Sequence, residues 1–219
     1  PRSTQGVSSA ASDVYKRQRG CREVEKESLS FCGTPLRSVQ PAVGFNSRRS
    51  VAPHHFTLTD EAVRGYDTNT KMSPPLRNQR DVDEIKIGLK DSTIDMIATD
   101  HAPHDITGKE VVYSQACFGI IGLETALPLS NKLVEEKIIS LSQLIEKMSY
   151  KPAQVFNLGK GTLSPGKIAD IVIFDPKARY TIDSAEFKSK SKNTPFNGLE
   201  VSGKIIHTLV SGKIVYSND

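Results

Sequence analysis

Residues 97–104 read IATDHAPH, an apolar run that ends abruptly in Asp100, His101 and His104. The segment leading into it, IDMIAT at 94–99, has the length and apolar content of a strand buried on both faces. Strands of that kind belong to parallel sheets covered by helices. Their C-terminal ends are where α/β barrels gather catalytic groups, and Asp100 stands at such an end. A carboxylate there can ligate a metal, hold a water for attack and pass a proton to a leaving group. An Asp that follows a strand can equally cap a helix. The octapeptide holds two of the chain's five histidines, so the question is where the partners of Asp100 lie.

Composition narrows the field. The chain has 219 residues, 37% hydrophobic and 25% charged, enough for a sizeable core in one or two domains. It has no run near the roughly 18 apolar residues of a membrane span, and its first residues lack a signal-peptide core, so neither a membrane nor a secreted destination is expected. Cys21, Cys32 and Cys117 are odd in number and lack zinc-site spacing, which suits free thiols in a reducing, cytoplasmic setting. The formal charge is +4, but residues 1–50 hold nine Lys/Arg against four Asp/Glu, and the remainder twenty against twenty-one. A basic-patch argument would rest on the N-terminal quarter alone, so no nucleic-acid partner is expected.

From Val51 onward the organisation is legible. VAPHHFTLTDEAV is a short apolar entry followed by a helix start, with Thr59 or Asp60 as cap. A Pro-Pro loop leads to an amphipathic helix near 80–90 and then to the strand near 94–99. Residues 105–118 form a loop long enough to be functional. GIIGLETALPLSNKLVEEKI and SLSQLIEKMSYKPAQVFNL carry helical apolar spacing, with Ser140 and Ser142 as candidate caps. The character changes at Gly159: GKGTLSPGKIADIVIFDP and VSGKIIHTLVSGKIVYSND are Gly-punctuated and rich in Val and Ile, as strands and hairpins are. GKGT at 159–162 lacks the leading glycine and strand-to-helix context of a phosphate loop, and reads as a turn.

Six segments carry a resemblance. APHHFTLTDEAV, YDTNTKMSPPLR, DSTIDMIATDHAPH, GIIGLETALPLS, GTLSPGKIADIVIFDP and KNTPFNG make residues 51–219 similar, in order and in spacing, to the C-terminal part of dihydroorotases of the bacterial type in the amidohydrolase superfamily. The resemblance implies an α/β fold, the C-terminal part of a (β/α)₈ TIM-barrel amidohydrolase plus part of a small β-sandwich. Residues 51–158 would be the barrel portion with its following helices, and 159–219 the sandwich strands. It implies a zinc-dependent hydrolase of cyclic amides, the reversible conversion of N-carbamoyl-L-aspartate to L-dihydroorotate in pyrimidine synthesis. Its partner is a small-molecule substrate, and a homo-oligomer or an association with a pyrimidine-pathway enzyme stays open.

Residue by residue, the family's match to Asp100 is a zinc ligand that also shuttles the proton between water and the amide nitrogen. The match to His104 binds the substrate carboxylate, and the matches to Phe118 and Gly119 contact the substrate ring through backbone groups. A substrate-binding Asn of the family aligns with Ser73, whose hydroxyl is shorter. His101 is expected to be structural or to support a ligand. Adjacent His54 and His55, read as strand residues, point to opposite faces, so both cannot face one metal; the resemblance puts the family's ligands elsewhere, and at most one of the pair orients a neighbour. His207 reads as a sheet residue, and nothing marks Cys117 as a nucleophile. The family's site also takes a His-x-His pair, a bridging acid or carboxylated Lys, and two further histidines. This chain has no His-x-His and no histidine before His54. A catalytic zinc takes three or more protein ligands, so zinc is expected in a longer parent and not as a stable ligand of this chain, which should be inactive alone.

Residues 1–50 differ in kind. SSAASDVYKRQ resembles the translation of a transposase-type sequencing adapter, so residues 1–18 are expected to be library sequence. Near Ser50, a reading frame shifted by two restores a family-like Leu-Thr-Ala-Glu before Val51, which points to a single-nucleotide slip and an artefactual or out-of-frame segment over 1–50. Two rivals to dihydroorotase stand: an allantoinase- or hydantoinase-type cyclic amidohydrolase, and a non-catalytic dihydroorotase-like scaffold protein.

Overall fold

The apolar run before Asp100 forms a strand, and the strand is parallel. In this computed structural model, which describes residues 49–218, strand β1 (Ser50–Val51) pairs in parallel with β2 (Met96–Ile97), Ser50 opposite Met96 and Val51 opposite Ile97. The regular pairing is shorter than the 94–99 expected. Its apolar character is nonetheless spent on burial: Ile94, Met96 and Ile97 are all in the core. Beyond β2 the chain makes a further parallel bridge, His101 to Ile120, so three successive segments run side by side in one direction.

Helix α1 (Pro53–Thr57) follows β1. The crossover to β2 is completed by α2 (Gln79–Lys90), capped by Asn78, whose side chain accepts from the Asp81 N–H. Val82, Ile85 and Leu89 recur at helical spacing and are buried, and a strand–helix–strand crossover joining parallel strands is the α/β unit. Leu89 and Ile94 are fully buried, worth about 1.5–3 kcal/mol each in area removed from water. Gly88 leaves room for Ile94, since a Cβ there would lie 3.1 Å from the Ile94 side chain.

After β2 come the single turn α3 (Ile106–Lys109), α4 (Ala126–Glu135) and α5 (Leu141–Ile145), the last opened by a capping box between Ser140 and Gln143. The helix then widens into a π-helical turn over Glu146–Tyr150 and continues as α6 (Lys151–Val155). Pro152 explains the widening, since it has no N–H to give the preceding turn. Residues 159–162 bend without a following helix, and Lys160 bonds Asp170 at 2.6 Å.

The C-terminal part is a three-stranded antiparallel sheet in the order β3 (Ile171–Thr181), β4 (Glu200–Val210), β5 (Lys213–Ser217). Its register breaks between Asp175 and Arg179, where Pro176 cannot donate to the ladder. Asn131 of α4 reaches this break, donating to the Pro176 carbonyl and to Ser202 Oγ. One apolar cluster joins Met72, Leu76, Ile120, Leu129, Ile182, Phe196 and Val201. Helices and sheet thus share a core, and the described residues fall within one compact unit. Residues 1–48, with Cys21, Cys32 and the adapter-like stretch, lie outside the described residues. Among those described, no helix is long and apolar enough to cross a membrane.

Candidate functional site

Asp100 takes a left-handed backbone conformation, φ 48°. That is an uncommon state for a residue with a Cβ and a place where strain collects at working sites. The turn leaves its carboxylate about half exposed at the end of the strand. Partial burial nonetheless raises its pKa above the ordinary carboxylate value.

The side chain facing Asp100 is His54. Its Nε2 lies 3.7 Å from Asp100 Oδ2, too far for a hydrogen bond, and that buried nitrogen has no other partner. His54 is 2% exposed. Burial, and secondarily the neighbouring His55, push its pKa down to about 3, so its ring is neutral at pH 7 with a lone pair to offer. His55 is buried too, with its pKa pushed down to about 4 by desolvation, and the two rings sit 4.3 Å apart.

The strand geometry expected for this pair does not hold. Pro53 occupies the first helical position, where its fixed φ favours a helix, so both histidines lie on one helical turn and both are inward. The Ala-Pro preceding them was the available signal. His101 and His207 meet partners of their own within the fold. His101 Nδ1 accepts from the Gly122 and Leu123 N–H groups, and His207 in β4 meets Ser217 Oγ at 3.0 Å.

His104, Phe118 and Gly119 come together as a cradle. His104 Nε2 donates to the Phe118 carbonyl at 2.8 Å, which fixes the tautomer on that bond. The Gly119 N–H donates to the Lys71 carbonyl at 2.8 Å, and this brings in the segment that carries Ser73, an exposed residue two positions along. Asn193 joins the group from the far end of the chain, donating to Ala102 O and Gly119 O and accepting from His104 N–H.

Two buried lysines hold the intervening loop. Lys71 Nζ donates to Ser114 O and stands 4.5 Å from the Phe118 ring centre. Lys109 Nζ donates to Thr68 O and Cys117 O. Burial lowers the pKa of both. The Cys117 thiol is exposed. Neither lysine nor Asn193 stands out in the sequence, because a lysine ordinarily reads as surface.

A neutral imidazole and a carboxylate facing each other, with an unpartnered nitrogen between, form a donor pair suited to a borderline-soft divalent cation. Two donors are short of a full set. Among the described residues no cluster of three or more His, Cys, Asp or Glu could hold a metal ion.

Comparison with known proteins follows the same line. Residues 47–215 match the amidohydrolase family. A dihydroorotase of Geotalea daltonii is 55% identical over 211 residues, 95% of this chain and 49% of that protein. The alignment therefore extends into the first fifty residues. A dihydroorotase of Geobacter metallireducens is 55% identical over 165 residues, 75% of this chain and 39% of that protein. The chain thus spans less than half the length of these relatives. Among solved structures, an L-hydantoinase from Arthrobacter aurescens superimposes with a TM-score of 0.74 at 31% identity, over 78% of this chain and 39% of that one. A dihydropyrimidinase from Brevibacillus agri gives 0.74 at 28%, over 80% and 40%.

Proposed function

The chain belongs to the amidohydrolase family, and on that premise we propose that it supplies the C-terminal share of a dihydroorotase, which interconverts N-carbamoyl-L-aspartate and L-dihydroorotate. The observation that carries the reading is the half-site of His54 and Asp100, next to the cradle of His104, Phe118 and Gly119. The orphaned, buried Nε2 of His54 and the facing Asp100 carboxylate fit zinc, and these two residues would hold it. Further ligands would come from the rest of a chain about twice as long. Bound zinc would polarise the ring amide carbonyl and make water a nucleophile near neutral pH.

The chain's own residues do the rest. Asp100, half exposed and with a raised pKa, takes the proton of the attacking water and gives it to the amide nitrogen as the ring C–N bond breaks. His104, held at Nε2 by the Phe118 carbonyl, has Nδ1 left to meet the substrate carboxylate, and it needs a proton there to do so. The backbone at Phe118 and Gly119 would meet the ring, with Ser73 at the edge as a hydroxyl partner. We assign residues 51–158 to the barrel portion and 159–219 to one part of a β-sandwich. Ile173 and Ile214, exposed and set on one face by the pairing of Ile171 with Leu209 and of Leu209 with Ile214, support a second layer over it.

A hydantoinase-type reading draws on the structural neighbours. The higher identity to the dihydroorotases favours the first reading, and the retained Asp100 and His104 weigh against a non-catalytic scaffold. The test is turnover by the complete protein of L-dihydroorotate, hydantoin and allantoin in parallel. Turnover of either rival substrate without dihydroorotate would overturn the assignment. His54→Ala and Asp100→Ala should each lower the zinc content of the purified protein, measured by atomic emission. An unchanged content in His54→Ala would remove His54 from the ligand set.

A further inference from the structure

Asn193, in the stretch KNTPFNG, is 6% exposed, and its side-chain hydrogen bonds all run to distant backbone. Oδ1 accepts from the His104 N–H at 3.3 Å, while Nδ2 donates to Ala102 O at 3.0 Å and to Gly119 O at 3.4 Å. Its own carbonyl accepts from the Ile121 N–H at 3.1 Å. One side chain therefore ties the segment that bears His104 to the segment that bears Phe118 and Gly119.

Only a primary amide offers an acceptor on one side and two donors on the other. An aspartate would turn acceptors toward two carbonyls, and an apolar residue would leave all three backbone groups unpaired.

A simpler role would be to anchor the 192–199 segment, but that segment has anchors of its own. Phe196 is 2% exposed in the core, Asn197 Oδ1 accepts from the Ser184 N–H, and Gly198 N–H bonds Ile182 O. All three Asn193 side-chain bonds run to the cradle.

We propose that Asn193 is a positioning residue: it sets the separation of His104 from Phe118–Gly119 at which the substrate's carboxylate and ring are held. The inference rests on the reading of this cradle as the dihydroorotate site.

The test uses the complete protein with Asn193→Asp, Asn193→Ser and, as a control, Asn131→Ala, which removes a buried amide elsewhere in the core. Steady-state kinetics with L-dihydroorotate should show KM raised about tenfold in both Asn193 variants, the effect of roughly one hydrogen bond, with kcat within about threefold of wild type. Asn131→Ala should lower the melting temperature and leave KM in place. Unchanged KM in both Asn193 variants would overturn the proposal, as would an equal rise in KM for Asn131→Ala.

A second measurement is independent of substrate. Hydrogen exchange of peptides covering 102–121 should quicken in Asn193→Ser, and unchanged protection overturns the positioning role. If wild type turns over no dihydroorotate, the functional reading fails, and the exchange result alone judges Asn193.

Discussion

Gly119→Ala is the substitution to which the cradle should be least tolerant. Gly119 has φ 95°, a conformation that costs a residue with a Cβ about 1–2 kcal/mol. The new methyl would also lie 2.6 Å from the Ala102 Cβ, where carbon atoms normally sit about 3.5–4.0 Å apart, so about 1 Å must be found. Neither side yields easily. Ala102 is fixed by its N–H to Ile120 O at 2.8 Å and Gly119 by its N–H to Lys71 O at 2.8 Å, while Asn193 holds both carbonyls. Overpacking of this kind costs about 1–3 kcal/mol, for a total of about 2–5 kcal/mol with the backbone contribution.

Two companions separate the contributions. Gly198 also has positive φ, 79°, but nothing lies within 4 Å of its would-be Cβ. Gly198→Ala should therefore lose only the backbone part, about 1–2 kcal/mol. Adding Ala102→Gly to Gly119→Ala removes the clash and should restore about 1–3 kcal/mol in a double-mutant cycle. Urea unfolding measures these three variants and Ala102→Gly, the remaining corner of the cycle, against wild type, read as midpoint shifts at constant slope. The reasoning fails if Gly119→Ala falls within about 0.5 kcal/mol of wild type, the range of ordinary surface changes. It fails equally if the double variant is no more stable than Gly119→Ala.

Two further outcomes follow from buried ammonium groups. Lys109→Met takes the ammonium donor from the Cys117 carbonyl and from the Thr68 carbonyl, which keeps the Lys71 N–H, a local loss of about 1–3 kcal/mol. Chymotryptic nicking at Tyr113 or Phe118 should then quicken several-fold, and an unchanged rate would show that the lysine does not hold the loop. Lys147, 3% exposed with Nζ on Ile94 O at 2.7 Å, has its pKa lowered mainly by desolvation. The folded state therefore releases this proton before the unfolded chain does. Between the folded pKa and the unfolded value near 10.5 the unfolded state binds more protons, so stability rises with pH. Wild type should gain on Lys147→Met as pH climbs toward about 10.5, followed by urea midpoints; a difference flat with pH would count against a charged, buried Lys147.

The legible parts of this molecule are those with local causes. The helix at Gln79–Lys90 follows from the spacing of Val82, Ile85 and Leu89 and from Asn78 as cap. Ser140 announces α5 through its box with Gln143, and an apolar run ending in Asp100 could be read as a strand reaching a working edge. His54 was misread because an apolar VAPHHF suits a strand as well as a helix, and Pro53 decides between them. Its approach to Asp100 joins residues far apart in the chain, which no local pattern records. The lysines escaped notice for a related reason. Lys71 and Lys109 are buried by the carbonyls they bind, and the sequence holds no sign of which carbonyls those are. The π-helical turn before Pro152 shows the opposite failing, a local cause whose remedy, a wider turn rather than a break, is set by the packing around it.

The reach of Asn193 also orders events in time. A ribosome delivers the chain from its N-terminus, so the segments of His104 and Phe118 leave the exit tunnel long before Asn193 is made. Until then the Ala102 and Gly119 carbonyls and the His104 N–H wait for a bond partner 74 to 91 residues away, a contact whose closure is slow by its length. During synthesis the nascent chain can already hold Asp100 beside His54. The ties between the His104 and Gly119 segments can close only after Asn193 has been translated, so a product ending before it would hold Asp100 without them.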